Sequence, residues 1–592
     1  MKYNIQGALE KYFGYQSFKA GQKSIITSIL AGRDTMGIMP TGGGKSVCYQ
    51  IPALLLPGLS LVISPLIALM KDQVDALNSL GIPAAFINSG MEAEEIRNCL
   101  AAAREGRYKL LYVAPERLGS ENFTNLLRNL SVDMVAIDEA HCVSQWGHDF
   151  RPSYVDIAPW IAELPRRPVI AAFTATATPR VQEDIAKLLR LSRPEVYVTG
   201  FARENLHLSA VKGVDKSQYI SRYVAGHPQQ AGIIYAATRK EVDTLHKHLQ
   251  AQGYAVGRYH AGLDHEERNQ SQEDFLYDEI QVIVATNAFG LGIDKSNVRY
   301  VIHHNMPRHL EAYYQEAGRA GRDGEAADCI LFYAPGDIQT QKYFIEHSEL
   351  NEERKQSEYS KLQSMIDYCH TTRCLQQYIL NYFGEADALD HCGNCANCGQ
   401  EFVIKDITVP AQKIFSCIKR MQEQYGMNLV AAVLKGSKGK RIQELGFTQL
   451  STFGIMREMT IPGIVELMHW LEAEDYLCNT GGQYPVLRLT SKALPVLKSQ
   501  ERVLVRTPQV SEPVQMDSDI FDLLRSRRKE IAQKSGVPPY VIFHDRTLKE
   551  MSIQLPVDDE AMLAITGVGE NKLKKYGRQF MEVIRAYVQG FS

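Results

Sequence analysis

The chain has 592 residues, 45% hydrophobic and 22% charged, so it can bury several cores and is not a disordered protein. Its 65 Lys and Arg against 68 Asp and Glu leave a net charge of −3, which excludes a uniformly basic nucleic-acid binder and confines any basic surface to local patches. At roughly 100–200 residues per domain, the length predicts three to five domains. From Asp34 to about Phe201 the β-branched runs DTMGIMP, LSLVISP, YKLLYVAP, VDMVAIDEA and PVIAAFTATAT alternate with helix-like stretches, which predicts a parallel, doubly wound α/β domain. A second series, AGIIYAAT, YAVGRYHAG, IQVIVATNAFG, VRYVIHHNMP and ADCILFYAP, predicts a second α/β lobe. After about Gly336, charged helix-periodic sequence runs to a cysteine cluster. The next 106 residues, Lys405 to Val510, hold 14 Lys and Arg against 9 Asp and Glu, a local charge of +5. Helix-like segments there precede YLCNTGGQYPVLRLT, two short strands about a Gly-Gly turn, the plan of a small helical domain with a β-wing. Thr507 to Asp517, polar with two prolines, reads as a linker, and a helical unit ends the chain.

The opening residues lack the charged start, apolar run and small-residue cleavage site of a secretory signal. No stretch reaches the roughly 18 apolar residues of a membrane span. Seven of the 11 cysteines are scattered singly, as expected of a reducing compartment, and with no targeting signal the expectation is a bacterial cytoplasmic protein with no membrane partner.

In MPTGGGKSVCYQIP, Thr41 and the glycines Gly42, Gly43 and Gly44 follow a strand and precede a helix, so successive N–H groups can close around phosphate. Lys45 would reach the β/γ-phosphates and Ser46 would place its hydroxyl on Mg²⁺. Met39 stands where the strict phosphate-loop pattern has its first glycine. Downstream, the apolar strand ending at Ile137 runs into Asp138, Glu139, Ala140 and His141. A carboxylate at a strand's C-terminal end is where doubly wound sheets bind ligands; Asp138 can hold the Mg²⁺ and Glu139 can deprotonate the attacking water. In YYQEAGRAGRDG, Arg319 and Arg322 lie three residues apart and share a helix face if helical. Paired guanidiniums suit a γ-phosphate in transit, and Gln315 suits positioning water or phosphate.

Taken in order, FGYQSFKAGQ, TGGGKS, SPLIALMKDQV, DEAHCVSQWGHDFRPSY, FTATAT, VATNAFGLGIDK and QEAGRAGRDG resemble the RecQ family of DNA helicases across nearly the whole chain. The resemblance implies a multidomain α/β protein: RecA-like lobes at 1–205 and 206–340, a helical zinc-binding module at 341–404, a winged helix at 405–510, and a linker with a small all-α HRDC domain at 511–592. It implies ATP-driven 3′-to-5′ movement on single-stranded DNA coupled to unwinding, in recombination, repair, replication restart and the SOS response. The expected partners are single-stranded and forked or tailed double-stranded DNA and a single-stranded-DNA-binding protein, with the chain acting as a monomer. His141 joins the catalytic set. Gln22 would hydrogen-bond adenine, with Tyr15 and position 19 sandwiching it; the family usually has Arg where this chain has Lys19, and Lys stacks less well on a base. Trp146 and Phe150 would stack on bases of a single strand, while His148 and Arg151 touch phosphate or report its presence to the ATP site. Ser64 to Val74, Thr174 to Thr178 and Thr286 to Asp294 would line the DNA track.

Cys374, Cys392, Cys395 and Cys398 offer four thiolates, a closed tetrahedral set for a structural Zn²⁺, although CGNCANC alone also suits an iron–sulfur cluster. The family resemblance selects zinc. In the region similar to a winged helix, Lys435, Lys438, Lys440 and Arg441 suit duplex phosphates. Tyr484, beside the Gly481-Gly482 turn, is the candidate separation pin. In the HRDC-like unit, TGVGENKLKKYG places Lys572, Lys574 and Lys575 where phosphate would bind.

Overall fold

Each α/β series folds into its own fully parallel sheet. The computed structural model describes residues 3–590 except 89, 129, 148, 291, 292, 294, 386–389, 400, 401, 484 and 509–518. In the first lobe β1 (Thr35–Ile38), β2 (Leu59–Ile63), β3 (Ala84–Ile87), β4 (Leu110–Val113), β5 (Val132–Ile137), β6 (Val169–Thr174) and β7 (Glu195–Val198) take the order β3-β4-β2-β5-β6-β1-β7. In the second, β8 (Leu206–Lys212), β9 (Ala231–Tyr235), β10 (Val256–Tyr259), β11 (Val282–Ala285), β12 (Val298–His303) and β13 (Ala327–Tyr333) take the order β10-β11-β9-β12-β13-β8. Helices cover both faces, so the central strands β1, β2 and β4 are buried throughout, which is why they read as continuous apolar runs. The edge strands β3, β7 and β8 have partly open faces; β3 and β7 have only four residues each, β8 carries His207, Ser209 and Lys212, and none of the three was among the expected strands.

Three functional segments leave neighbouring strands. The phosphate loop follows β1, Thr174 to Thr178 follow β6, and Asp138 follows β5. Beyond the second lobe, the helices Pro335–Glu346, Glu352–His370 and Leu375–Tyr382 lead into the cysteine cluster, as the helical periodicity predicted. Asn394 donates to the Glu204 and Leu206 carbonyls, which ties the cysteine loop to the second lobe.

In the basic domain, β14 (Phe402–Asp406) pairs antiparallel with a closing strand, Leu504–Pro508, so Thr507 and Pro508, expected in a linker, belong to a sheet. The wing is a hairpin of three-residue strands, Leu477–Asn479 and Leu487–Leu489. The domain is anchored through Arg373, which pairs with Glu474 at 3.2 Å and Asp475 at 2.7 Å. The C-terminal helices, from Asp519–Ser535 to Arg578–Gly590, enclose a separate core around Leu524, Phe543, Met551 and Phe580.

Candidate active site

The phosphate loop needs its glycines. Gly42 and Gly44 take φ of +79° and +82°, and a Cβ would stand 3.3 Å from Arg322 Cα at the first and 2.4 Å from Gln22 Nε2 at the second. The helix Lys45–Leu55 starts immediately afterwards, so its free N–H groups and positive dipole end lie at the loop. Lys45 Nζ sits 3.3 Å from Glu139 Oε1.

Asp138 is locked at both backbone ends: its N–H donates to Ile63 O at 2.8 Å, and its carbonyl accepts from the Tyr154 hydroxyl at 2.8 Å. Glu139 holds a left-handed backbone, φ +47°, a costly conformation kept where surrounding structure imposes it. Buried His141 places Nδ1 2.9 Å from Thr174 Oγ1 and 3.3 Å from Glu139 Oε2. Burial, then the neighbouring Glu139 charge, raises Asp138 to about 6. Burial opposes the Glu139 charge too, but Lys45 and His141 together outweigh it and hold its carboxyl below the usual range. The pair is thus set apart electrostatically, with Glu139 the more acidic member.

The second lobe completes the site. The helix Leu310–Ala317 ends before either arginine, so Arg319 and Arg322 stand on the loop after it and not on one helix face. Gly318 and the glycines that follow break the helix, which the three-residue spacing could not reveal. Arg319 donates to the Gly290 carbonyl, Arg322 to Ile293 O at 2.8 Å, and Gln315 Nε2 reaches across to Thr176 Oγ1 at 3.1 Å. Tyr15, Thr41, Gly42, Gly44, Lys45, Ser46, Asp138, Glu139, His141, Gln315, Arg319 and Arg322 all line one cavity of about 410 Å³, a volume suited to a nucleotide-sized ligand. The donor set fits Mg²⁺·ATP: Ser46 hydroxyl and Asp138 carboxylate are hard oxygen ligands beside a phosphate cradle.

Gln22 and Lys19 brace the loop from behind. Gln22 donates to Gly44 O at 3.1 Å and Gly43 O at 3.4 Å and accepts from Lys19 N at 2.9 Å; Lys19 Nζ donates to Gly42 O at 2.8 Å. The sequence reading missed Arg203, in FARENL between the lobes. Its guanidinium donates to Thr41 O on the phosphate loop and to Gly318 O, Ala320 O and Gly321 O, at 3.2, 2.9 and 2.9 Å, on the arginine loop. The signal available was an arginine at the junction of two lobes, which alone is unremarkable.

The aromatic loop packs against cations. The Arg180 guanidinium lies 3.5 Å from the Trp146 ring centroid, and Arg354 lies 5.4 Å from that of Phe150. Arg151 pairs with Asp149 at 3.1 Å and donates to Pro65 O at 3.2 Å, joining this loop to the Ser64–Val74 segment. In the wing domain, Lys438, Lys440 and Arg441 are exposed, whereas half-buried Lys435 donates to the Arg457 carbonyl. His148 and Tyr484 lie outside the described residues.

The Sγ atoms of Cys374, Cys392, Cys395 and Cys398 all lie within 4.8 Å of one another. Zn–S bonds of about 2.3 Å place tetrahedral sulfurs roughly 3.8 Å apart, and Cys374 and Cys395 are 3.9 Å apart. Backbone N–H groups of Leu375, Gln377, Asn394 and Cys395 point at these sulfurs at 3.3–3.4 Å, as donors to thiolates do. Four sulfurs leave no open position, so the site holds a structural Zn²⁺.

Two parallel-sheet lobes, a phosphate loop and acidic pair on one and an arginine loop on the other, define a nucleotide-hydrolysing helicase motor. Family models agree along the chain: "DEAD/DEAH box helicase" at residues 19–185, "Helicase conserved C-terminal domain" at 215–324, "RecQ zinc-binding" at 335–399, "RQC domain" at 401–513 and "HRDC domain" at 517–584. The chain is 49% identical over 590 residues to the ATP-dependent DNA helicase RecQ of Bacillus subtilis, covering all of both chains. It is 39% identical to the RecQ of Pasteurella multocida, covering 99% of this chain and 94% of that one. It is also 33% identical to the RecQ-like DNA helicase BLM of Xenopus laevis, spanning 46% of that longer protein. The chain belongs to the RecQ family of ATP-dependent DNA helicases. Among the described residues no helix is long and apolar enough to cross a membrane.

Proposed function

We propose that the protein moves 3′ to 5′ along single-stranded DNA and splits forked or tailed duplexes at the winged helix, acting as a monomer beside single-stranded-DNA-binding protein in recombination, repair and replication restart in the bacterial cytoplasm. The observation that carries this reading is the sharing of one cavity by both lobes: Lys45 and Glu139 from one, Arg319 and Arg322 from the other. A ligand bridging them closes the lobes, and its hydrolysis lets them part, which turns chemistry into displacement.

Lys45, Thr41 and the loop N–H groups of Gly42, Gly43 and Gly44 hold the phosphates, with Gln22, Lys19 and Tyr15 on the adenine side. Ser46 and Asp138 hold Mg²⁺, which when bound neutralises phosphate charge. Glu139 orients and deprotonates water, and His141 fixes Glu139 and relays contact with Thr174. Arg319 and Arg322 stabilise charge on the γ-phosphate, with Gln315 sensing closure. Trp146, His148, Phe150 and Arg151 meet the single strand, where Arg180 and Arg354 yield the ring faces to bases. Lys435, Lys438, Lys440 and Arg441 meet duplex phosphates, and Tyr484 is the pin.

The test measures ATP hydrolysis and strand release together on a 3′-tailed duplex, a 5′-tailed duplex and tailed RNA. Release from 3′-tailed DNA alone is expected. Release favouring the 5′ tail or RNA refutes the polarity or substrate, and hydrolysis without release refutes strand separation.

A further inference from the structure

The aromatic loop after the acidic pair is tied down from outside its own lobe. Ser144 to Gly147 form a tight turn: Gly147 N donates to Ser144 O at 3.1 Å, and a Cβ on Gly147 would stand 2.6 Å from His141 O. The foot of the turn is held within the first lobe, where the Ser144 hydroxyl donates to Asp184 at 2.6 Å and accepts from Trp146 N at 3.1 Å. The apex is held by another domain. The Gln145 carbonyl accepts from Arg354 at 3.3 Å and the Trp146 carbonyl accepts from Lys361 at 2.9 Å, and both donors stand on Glu352–His370, the helix of the zinc module.

The sequence of that helix explains the grip. Arg354, Glu358 and Lys361 recur at i, i+4 and i+7, so they share one face. Lys361 lies 3.7 Å from both Glu311 and Glu358, each largely buried, and Arg308 pairs with Glu358 at 3.3 Å. Two carboxylates thus fix the ammonium beside the turn, where a lone surface lysine would sample many rotamers. Glu311 belongs to Leu310–Ala317 of the second lobe, so one lysine joins the zinc module, the second lobe and the turn.

The same arrangement covers the rings. The Arg180 guanidinium lies on the Trp146 face, and Arg354, besides holding Gln145, faces Phe150. A base stacking on either of those faces has to displace a guanidinium, and a turn that moves to meet the base has to leave Lys361 and Arg354.

We propose that Lys361 and Arg354 are positioning residues of the zinc module, which hold the aromatic loop in this covered position and so set the DNA concentration at which ATP hydrolysis switches on. The proposal rests on the reading of this loop as a single-strand contact. A bond made in the covered position and lost in the DNA-bound one opposes DNA binding, so its removal tightens DNA. Because Gly147 packs on the His141 carbonyl, and His141 lies beside Glu139, a released turn also populates the active placement without DNA. The direction of the effect is diagnostic: removing a cation from a DNA-binding protein ordinarily weakens its hold on phosphates, and here it strengthens binding.

The experiment uses the full chain with its zinc. Fluorescence anisotropy of a labelled single-stranded oligonucleotide gives the DNA Kd, and ATP hydrolysis titrated with the unlabelled strand gives the half-activating concentration. Lys361→Met keeps the stem and removes the donor. It should lower both quantities on the order of tenfold, as loss of one charge-assisted hydrogen bond does, raise hydrolysis without DNA, and leave kcat at saturating DNA unchanged. Lys361→Arg, which retains a donor, should keep the wild-type threshold. Arg354→Ala should shift the threshold in the same direction, and it decides the matter should Lys361→Met disturb the fold. Equal or weaker DNA binding in both Lys361→Met and Arg354→Ala overturns the proposal. Trp146→Ala separates it from the reading beneath it. Full DNA stimulation in Trp146→Ala refutes the loop as a DNA contact and the restraint with it, whereas lost stimulation there beside unmoved thresholds in the other two variants refutes the restraint alone.

Discussion

Arg203 offers the sharpest test of how the two lobes are joined. Its guanidinium donates to four backbone carbonyls, one on the phosphate loop and three on the arginine loop, and it has no carboxylate partner among the described residues. Burial lowers its pKa for that reason. Each such bond contributes about 1 kcal/mol net, so Arg203→Ala removes up to ~4 kcal/mol, of which water entering a half-buried site restores part; ~2–3 kcal/mol is the working figure. That loss falls on the relative placement of Thr41 and Arg319, and a misplacement of about 1 Å costs roughly 10²-fold in rate. The two estimates agree, because 10²-fold corresponds to ~2.7 kcal/mol. Steady-state ATP hydrolysis at saturating nucleotide and single-stranded DNA should therefore fall about 10²-fold in Arg203→Ala. Arg203→Lys should recover only part, since one ammonium cannot fork across four carbonyls. DNA affinity and zinc content should stay at wild-type values. A kcat within threefold of wild type, or a loss confined to DNA affinity, would refute the strap.

Lys45→Ala should lower hydrolysis by at least ~10²-fold while sparing DNA binding, measured by phosphate release and by fluorescence anisotropy of a labelled strand; retained turnover would overturn the site. Cys395→Ser should lose zinc and the lowest thermal transition together, because metal binding contributes folding free energy, and zinc analysis beside a melting curve checks it. Burial raises Glu472, at the packing of Glu352–His370 on Ile461–Ala473, from near 4.5 to about 7, and burial with the Glu472 charge raises Asp367. A carboxyl whose folded pKa is raised gives stability that is complete below the unfolded pKa and is lost as pH rises through 7. The protein should therefore lose about 1.4 kcal/mol between pH 6 and 8, which is roughly 2–5 °C in Tm. The adjoining His370 and His469 are pushed down by burial, His469 to about 4, so both are neutral in that window. Glu472→Gln should flatten the dependence in a thermal melt, and an unchanged slope would exclude this pair.

Residues were legible where chemistry fixes residue type at short spacing. A phosphate cradle requires consecutive glycines followed by Lys45, and a closed metal site requires four sulfurs; both read directly from the chain, while the choice of zinc over iron–sulfur came from the family resemblance. Central strands were legible because burial on both faces leaves a long apolar run; the edge strands β3 and β7, of four residues each, and β8, whose open faces admit His207, Ser209 and Lys212, were not. Arg203 was invisible since its partners are backbone carbonyls, which carry no sequence signature. The cover of Arg180 on Trp146 and the position of Lys572 against the cleft arise from contacts between segments distant in sequence.

One chain of contacts explains why the lobes and the hydrolytic carboxylate act together. Glu139 lies 3.3 Å from His141, which lies 2.9 Å from Thr174 Oγ1. That oxygen accepts from the Thr176 N–H at 3.2 Å, and Thr176 Oγ1 accepts from Gln315 of the second lobe at 3.1 Å. Every member except Gln315 belongs to the first lobe, so the last link is the one that separation of the lobes breaks. Neutral hydrogen bonds contribute about 1 kcal/mol each, too little to hold the lobes closed against the DNA but enough to bias the orientation of His141 and Glu139 several-fold. The same movement withdraws Arg319 and Arg322 from the cavity, because both belong to the second lobe. Closure therefore assembles the hydrolytic carboxylate and the arginines in one step, and opening dismantles them in one step. A motor that hydrolyses ATP only when its lobes have met needs that arrangement, because turnover in the open state would yield no displacement.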